Sequence, residues 1–238
     1  MQASPPLRTV VTHVLLWDID GTLLTTGRAG IFAWEEAILD VCDVEADLSD
    51  FHTAGLTDSQ IGALLLEHAG VEPKRETVEA LLAEYARRLP EALHRRTGRV
   101  LPGVLAILGD LDTRDDVRSL LLTGNLPAGA AAKLAQYGLT SFFAYPGAFC
   151  SAIMSREEIA RSAVPLVEEL TGTAFDGNRA YVIGDTPHDV RCGRSIGART
   201  IAIATGASTR SELSAAGAWL VLDELPSPAD FRSLLGIA

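Results

Sequence analysis

Three short apolar runs in the 238-residue chain are each followed directly by residues that suit a metal ion or a phosphate. The first precedes Asp18-Ile19-Asp20-Gly21-Thr22, the second Thr123-Gly124-Asn125, and the third Asp185-Thr186-Pro187-His188-Asp189. Short apolar runs are typical of buried strands in a parallel sheet. Open α/β sheets bind ligands beyond the carboxyl ends of their strands. We therefore expect the three segments to converge on one site for Mg²⁺ and phosphate.

Asp18 and Asp20 stand two positions apart at the end of the first predicted strand. Such residues ordinarily point to opposite faces, but a turn at Gly21 can direct both carboxylates into one site. One carboxylate could then attack phosphorus while the other handles a proton. The alternative is an Asp-Gly turn that only caps a strand.

In the second segment, Gly124 allows the backbone to approach a ligand closely. A helix that begins near Pro127 would direct its positive N-terminus towards an anion. The alternative is a plain strand-to-helix turn in which Asn125 caps the helix.

The third segment offers two carboxylates, Asp185 and Asp189, about one helical turn apart. Mg²⁺ takes a few carboxylates in a near-octahedral oxygen shell and retains water. Asp185 is expected to be a direct ligand. Asp189 is expected to be either a ligand or an acceptor that orients a metal-bound water.

The elements that must position these residues follow the pattern of a βαβ protein. Strands are predicted near 12–18, 117–123, 141–145, 179–184, 199–204 and 219–222, with helices near 103–111, 127–137, 156–170, 188–197 and 209–216. Between about 25 and 99 only helical periodicity occurs. The expected fold class is α/β, a doubly wound parallel-sheet core (9–24 and 100–238) interrupted by an all-helical cap domain (25–99). Residues 1–9 form a polar tail.

The composition favours a small-molecule partner. Thirty-one acidic and 20 basic residues give a net charge of −11, which opposes binding to nucleic acid or to an anionic membrane. The three cysteines are far apart without a CxxC pair, so neither disulfides nor a zinc site is expected. No apolar run approaches the ~18 residues of a membrane span, and the N-terminus lacks a signal-peptide pattern. A cytoplasmic, unprocessed protein is expected.

The segment Asp18–Leu23, together with the two other segments, resembles the motifs of the haloacid dehalogenase (HAD) superfamily, specifically its phosphoglycolate-phosphatase-like, Mg²⁺-dependent phosphatases. The resemblance implies a Rossmann-like core with a helical cap. It implies that Asp18 is the nucleophile, forms an aspartyl-phosphate and binds Mg²⁺ through its other oxygen. Asp20 would be the general acid and base, with its main-chain carbonyl on the metal. Asp185 and Asp189 would complete the metal site.

The resemblance also implies roles for the phosphate-binding residues. The hydroxyl of Thr123 and the N–H groups beside it, at Gly124 and Asn125, would hold a phosphoryl oxygen, with Thr22 also assigned to substrate binding. A Lys or Arg should neutralise the assembled negative charge.

Three residues are candidates for this cation: Lys133, Arg156 and Arg161. Relatives often have a basic residue followed four or five positions later by Pro. Because Arg161 and Pro165 match that spacing, Arg161 is preferred over Lys133 as the catalytic cation.

The loop Gly55-Leu56-Thr57-Asp58 resembles the substrate loop of the same phosphatases, which makes Thr57 and Asp58 candidates for substrate binding. The alternative is that one of them caps the next helix. Arg28, in the segment that leaves the core, is a further candidate for contact with the substrate.

The expected activity is Mg²⁺-dependent hydrolysis of a small phosphomonoester, such as phosphoglycolate or a sugar phosphate. A phosphomutase of the β-phosphoglucomutase type would share Asp18 and Asp20 and is the nearest alternative. A non-enzymatic phospho-acceptor, similar to receiver domains, is opposed by the chain length and the helical insertion. The sequence makes no prediction of oligomeric state.

Overall fold

A computed structural model describes residues 10–151 and 154–237 of the protein. The polar tail predicted over residues 1–9 lies outside the described residues. Among the described residues, no helix combines the length and the apolar character needed to cross a bilayer.

The first strand, β1 (His13–Trp17), lies inside the sheet and shows why the core forms two layers of helices. Val14 and Leu16 are buried in one hydrophobic cluster, and Leu15 and Trp17 in another. Successive side chains of a strand point to opposite faces of the sheet. A strand with four buried apolar residues in a row must therefore be covered on both faces.

Five parallel strands form the main sheet in the order β4-β1-β5-β6-β7. Besides β1, its strands are β4 (Val117–Leu121), β5 (Ala180–Gly184), β6 (Arg199–Ile203) and β7 (Leu220–Leu222). β1 pairs with β4 and β5, β5 also with β6, and β6 also with β7. In the register of β1, Trp17 lies opposite both Leu121 and Ile183. The neighbouring strands β4, β1 and β5 therefore end at the same edge of the sheet.

Helices cover both faces of this sheet. The cluster around Leu15 and Trp17 includes residues of α4 (Val104–Asp112), α5 (Pro127–Gln136) and α9 (Pro228–Leu235). The cluster around Val14 and Leu16 includes residues of α6 (Arg156–Thr171) and α7 (Pro187–Ser195), and α8 (Arg210–Ala215) packs against α7 and β6. The predicted α/β fold with a parallel sheet between helices is confirmed.

Three helices lie between β1 and the rest of the sheet strands along the chain: α1 (Gly30–Cys42), α2 (Asp58–His68) and α3 (Arg75–Ala92). We refer to residues 26–98 as the helical segment. It has a hydrophobic cluster of its own, in which the rings of Trp34 and Tyr85 stack with centroids 3.8 Å apart. Its two ends are joined by an antiparallel pair, β2 (Leu24–Thr25) and β3 (Arg99–Val100).

The strand predicted over 141–145 is wrong. Residues Thr140–Phe142 form a 3-10 turn instead, and the chain reaches the sheet only at Ala148, which forms a single parallel bridge with Leu122. Two effects explain the error. The aromatic side chains of Phe142 and Phe143 pack against the core cluster from outside the sheet, and Pro146 lacks the N–H that a strand ladder requires.

Candidate active site

The register of the sheet brings the three predicted segments together. The backbone N–H of Asp18 donates to the carbonyl of Ile183 at 2.9 Å, and that of Leu122 donates to the carbonyl of Trp17 at 2.8 Å. Asp18, Thr123 and Asp185 are the residues that follow these strand ends, and all three are buried. The sheet therefore presents them at one edge, as expected for a ligand site of an open α/β sheet.

Three buried carboxylates lie close enough to share a cation. Asp18, Asp185 and Asp189 each offer one oxygen, and these oxygens lie within 4.8 Å of one another. Oδ1 of Asp18 is buried and has no hydrogen-bond partner among the described residues. Burial, followed by the charges of Asp189 and Asp18, raises the pKa of Asp185 to about 8. Like charges at this spacing fit a hard divalent cation bound by oxygen ligands, such as Mg²⁺.

Gly21 fits the turn between Asp20 and Thr22 for two reasons. Its φ is 84°, which favours glycine, and a Cβ at this position would overlap the carboxylate of Asp185. The turn also directs the hydroxyl of Thr22 to Oδ1 of Asp185, at 3.2 Å. Thr22, a predicted substrate-binding residue, thus contacts the carboxylate cluster in this structure.

Asp189 is held by the first turn of α7. Thr186 is the N-cap, and its hydroxyl and its backbone N–H both donate to Oδ2 of Asp189, at 2.6 and 3.0 Å. The other oxygen of Asp189 is paired with the guanidinium of Arg156. Arg156 also donates to Oδ2 of Asp18, at 3.4 Å. Asp189 is therefore fixed by hydrogen bonds on both of its oxygens.

Asp20 has a different electrostatic environment from Asp18. Nζ of Lys133 and Nδ2 of Asn125 donate to its Oδ2, at 2.6 and 2.9 Å. Burial would raise the pKa of Asp20, but Lys133 and Asn125 outweigh it and hold that pKa below its ordinary value. For Asp18, burial dominates over the opposing charge of Arg156 and raises the pKa to about 6. The two carboxylates of the motif are thus made chemically unequal by their surroundings.

Asn125 links the second segment to Asp20. Its Nδ2 also donates to Oγ1 of Thr123 at 2.8 Å, and its Oδ1 accepts from Lys133 at 2.6 Å. The alternative reading, in which Asn125 caps α5, is wrong, because Leu126 is the N-cap residue and no side chain caps this helix.

The structure distinguishes among the candidate cations by position. Lys133 and Arg156 are both buried and both contact the carboxylates. Arg161, in contrast, is exposed on α6 and is not brought to the cluster. Position 161 lies more than one helical turn beyond the first residue of α6, which is Arg156, so the two side chains leave the helix at different places.

The loop that precedes α2 contacts the second segment. Thr57 is the N-cap of α2 in a capping box with Gln60, as the alternative reading expected. The N–H of Asp58 donates to the carbonyl of Gly124 at 2.8 Å, and Oδ2 of Asp58 accepts from the N–H of Leu126 at 2.7 Å. These two bonds attach the helical segment to the turn that carries Asn125.

A cavity of about 610 Å³ lies between the helical segment and the carboxyl edge of the sheet. One side of the cavity is lined by the residues at the sheet edge, namely Asp20, Asn125, Lys133, Arg156 and Asp185. The other side is formed by residues of the helical segment, namely Arg28, Ile31, Trp34, Phe51, His52, Leu56, Asp58, Ile61 and Tyr85. A cavity of this size admits a small organic molecule.

The family is decided by a match between residues 15–194 and the family model for haloacid dehalogenase-like hydrolases. The chain belongs to the haloacid dehalogenase-like hydrolases. The matched range contains all three segments of the site, and the prediction of an enzyme of this family is confirmed. The comparison with curated proteins found no match for this hydrolase.

Solved structures of low sequence identity share the fold of this hydrolase. A predicted phosphatase from Clostridium acetobutylicum is 18% identical, with 95% of this chain and 100% of that chain covered and a TM-score of 0.71. A predicted phosphoglycolate phosphatase from Haemophilus somnus 129pt is 16% identical (94% and 97% covered, TM-score 0.69). A mutant of CbbY from Rhodobacter sphaeroides, in complex with xylulose-(1,5)-bisphosphate, is 18% identical (90% and 94% covered, TM-score 0.71). At these identities the likeness shows the fold.

The contacts that Arg156 and Thr186 make in this hydrolase were not predicted from the sequence. Both were signalled by helix-start patterns. Ser155 and Glu158 form a capping box that makes Arg156 the first residue of α6, and Thr186 and Asp189 form another. The pattern fixes where each helix begins, and so which side chain lies at the sheet edge.

Proposed function

We propose that this hydrolase is a Mg²⁺-dependent phosphatase that acts on a small phosphomonoester through an aspartyl-phosphate on Asp18. The observation that carries the proposal is the orphaned Oδ1 of Asp18, buried beside two other carboxylates. A second carboxylate, Asp20, stands two residues away in a cationic environment. Because their surroundings shift the two pKa values in opposite directions, Asp18 is suited to act as the nucleophile and Asp20 as the proton carrier.

In the first step, a carboxylate oxygen of Asp18 attacks phosphorus in line with the ester oxygen. The bond between phosphorus and that oxygen breaks, and Asp20 in its protonated form donates a proton to the leaving alkoxide. The products are the free alcohol and the aspartyl-phosphate. Without substrate, Lys133 favours the anionic form of Asp20, and a phosphate dianion nearby would raise that pKa by like-charge repulsion.

In the second step, Asp20 acts as the base. It removes a proton from a water molecule that attacks the phosphorus of the aspartyl-phosphate, and the bond to Asp18 breaks. Inorganic phosphate leaves, Asp18 returns to the carboxylate, and Asp20 is protonated again. Splitting one displacement into two lowers the barrier of each.

Mg²⁺ would be held by Asp18, by the main-chain carbonyl of Asp20 and by Asp185. When bound, the ion neutralises negative charge on the phosphoryl group and on these carboxylates. Both oxygens of Asp189 already accept hydrogen bonds. This favours the second predicted role of Asp189, in which it orients a group bound to the metal.

Lys133 and Arg156 are the cations we assign to the transferring phosphoryl group. Both are buried and lie against Asp20 and Asp18 respectively. Thr123, Gly124 and Asn125 are assigned to the phosphoryl oxygens, as the family resemblance implies. Arg161 is not part of this proposal because its side chain is exposed.

We also propose the two-domain division, with residues 25–99 as a cap over a core of residues 9–24 and 100–238. The separate hydrophobic cluster of the helical segment supports it. So does the cavity between that segment and the sheet edge, from which closure would exclude bulk water. The phosphomutase alternative uses the same residues. The wide spacing of the three cysteines supports a cytoplasmic location.

Phosphate release from a panel of phosphorylated metabolites, assayed with Mg²⁺ present, tests the function. We expect turnover on at least one small phosphomonoester and none by an Asp18→Asn variant. Conversion of a hexose 1-phosphate to the 6-phosphate without phosphate release would instead identify a mutase. A stable phosphoprotein with no turnover would identify a phospho-acceptor.

A further inference from the structure

The buried polar side chains that line the cavity on the side of the helical segment include Asp58 and Tyr85. They are 5% and 2% exposed, respectively. Around them the wall of this side is largely apolar, with Ile31, Trp34 and Ile61. Buried polar groups in such a wall fix the orientation of a ligand and choose between ligands.

Each of these two residues has hydrogen-bonding capacity left for a ligand. Asp58 uses Oδ2 for the N–H of Leu126, and its Oδ1 forms no hydrogen bond within the described residues. The hydroxyl of Tyr85 likewise forms none there. A carboxylate can only accept hydrogen bonds, whereas a phenol can accept or donate one. Together they match a ligand group that donates a hydrogen bond.

Most of the positive charge that lines the cavity is paired with carboxylates. Within the described residues, the Lys and Arg side chains that line it are Arg28, Lys133 and Arg156. Lys133 and Arg156 pair with the catalytic carboxylates. Arg28 donates through Nη2 to the backbone carbonyls of Leu48 and Phe51, at 3.4 and 3.0 Å, and these contacts hold its side chain without neutralising its charge. His52 also lines the cavity, but its side chain is exposed to solvent. Beside Asp58, a carboxylate at the far end of a substrate would meet a like charge.

We propose that Asp58 and Tyr85 form a subsite for a hydrogen-bond donor on the alcohol portion of the substrate, and that Asp58 excludes alcohols that carry a carboxylate. This inference rests on the proposed phosphatase function. It narrows the substrate class to phosphomonoesters of alcohols with a further hydroxyl or ammonium group. It therefore separates the two substrates expected from the sequence, because phosphoglycolate is disfavoured.

Three substrates with the same two-carbon skeleton test the charge selection. They are phosphoglycolate, 2-hydroxyethyl phosphate and phosphoethanolamine, which end in a carboxylate, a hydroxyl and an ammonium group. We expect kcat/KM for phosphoglycolate to be at least about tenfold below that of the better of the other two, since like charges in a partly buried site repel. Of 2-hydroxyethyl phosphate and phosphoethanolamine, the substrate with the higher kcat/KM identifies the donor group that the subsite binds. A preference for phosphoglycolate would overturn the proposal.

Two conservative variants assign the selection to the two residues. Asp58→Asn keeps an oxygen for the N–H of Leu126 but removes the charge, so the discrimination against phosphoglycolate should fall to about threefold or less. Tyr85→Phe keeps the ring stack on Trp34 and should lower kcat/KM for the donor-bearing substrates by about tenfold, mainly through KM. The matched controls are Asp50→Asn and Tyr145→Phe, at exposed positions outside the cavity. They should change neither the discrimination against phosphoglycolate nor kcat/KM for the donor-bearing substrates.

The outcomes separate this inference from the proposed function. If Asp58→Asn lowers kcat/KM equally for all three substrates, Asp58 acts only by holding the turn that carries Asn125, and the proposed subsite is overturned. An activated ester, p-nitrophenyl phosphate, reports on the phosphatase chemistry itself. If the wild-type protein releases no phosphate from any substrate, including this ester, the phosphatase function fails. If it cleaves the ester but prefers phosphoglycolate, only the subsite fails.

Discussion

At the scale of single residues, the site is organised by unequal environments for similar groups. Burial raises the pKa of Asp18, while Lys133 and Asn125 lower that of Asp20. The motif could be recognised from the sequence because a strand end followed by Asp-x-Asp-Gly leaves few other interpretations. Which candidate cation lies beside the carboxylates could not be predicted, because the reach of a lysine or arginine depends on the helix face from which it starts. Lys133 and Arg161 both lie on predicted helices, and the sequence preference fell on the exposed one.

Asp18→Asn should abolish phosphate release and leave the fold intact, because an amide cannot form the aspartyl-phosphate. We expect a residual kcat of less than about 1% of wild type, measured by phosphate release with Mg²⁺ in excess. Circular dichroism should show an unchanged fold. Activity above a few per cent of wild type, in a preparation free of deamidated protein, would contradict the assignment of the nucleophile.

Lys133→Ala should be much more damaging than Arg161→Ala. The ammonium of Lys133 neutralises Asp20 and contacts Asn125, so its loss should lower kcat by about 100-fold. It should also raise the pKa of Asp20 and so displace the pH–rate profile upwards. Arg161→Ala removes an exposed charge and should change kcat by less than about twofold. The reverse order of effects would restore the preference for Arg161 that the sequence suggested.

At the scale of elements, the helical segment contacts the site through the loop before α2. Asp58 accepts from and donates to the backbone on either side of Asn125. A Cβ on Gly124 would lie 2.9 Å from the carbonyl oxygen of Leu56, so the two backbones approach closely here. The strands and helices that carry these loops were predictable from apolar periodicity. The contact itself was not, since nothing in local periodicity specifies which turn a distant loop touches.

Asp58→Asn should stabilise the protein at neutral pH. Burial, opposed by Lys133, raises the pKa of Asp58 from an ordinary 3.8 to about 6. The folded state therefore holds the proton more tightly, and stability falls as pH rises from about 4 through 6. The difference between these two pKa values lowers the free energy of unfolding by about 3 kcal/mol at pH 7.5. Asp58→Asn should remove this loss because an amide carries no charge.

Urea unfolding of wild type and Asp58→Asn at pH 4.5 and pH 7.5 measures this effect. The stability gain of the variant should be about 3 kcal/mol at pH 7.5 and about 1 kcal/mol at pH 4.5. Asp50→Asn, at an exposed position, should show no such difference between the two pH values. An Asp58 variant that is less stable than wild type at pH 7.5 would contradict the charge argument.

At the scale of the whole molecule, the sheet and the helical segment meet at a site that carries an excess of negative charge. Arg156 pairs with two of the three buried carboxylates that lie within 4.8 Å of one another, and the negative charge that remains opposes folding unless a further cation neutralises it. The helical insertion in an α/β chain was predictable, because helical periodicity interrupts the strand pattern for about 70 residues. The short pair of β2 and β3 was not, because two-residue strands carry no periodicity.

Mg²⁺ should raise the thermal stability of the protein as well as its activity. Binding at about 100 times Kd stabilises the folded state by about 2.7 kcal/mol, which raises the Tm by roughly 5–10 °C for a chain of this size. EDTA should remove both the stabilisation and the turnover, and Mg²⁺ should restore them. Asp185→Asn should raise the metal-free Tm by relieving repulsion and should abolish the response to Mg²⁺. Full turnover in EDTA would remove the metal from the mechanism.

The pairing of β2 with β3 places the two ends of the helical segment side by side. The chain leaves the core at Thr25 and returns at Arg99, and these two residues are partners in one hydrogen-bonded register. The N–H of Leu101 also donates to the carbonyl of Leu23 at 2.9 Å. The two connections between the sheet and the helical segment therefore lie next to each other. In a chimaera, the helices of another family member could replace residues 26–98 between two junctions that are hydrogen-bonded to each other. Such a replacement would leave Asp18 and Asp185 unchanged.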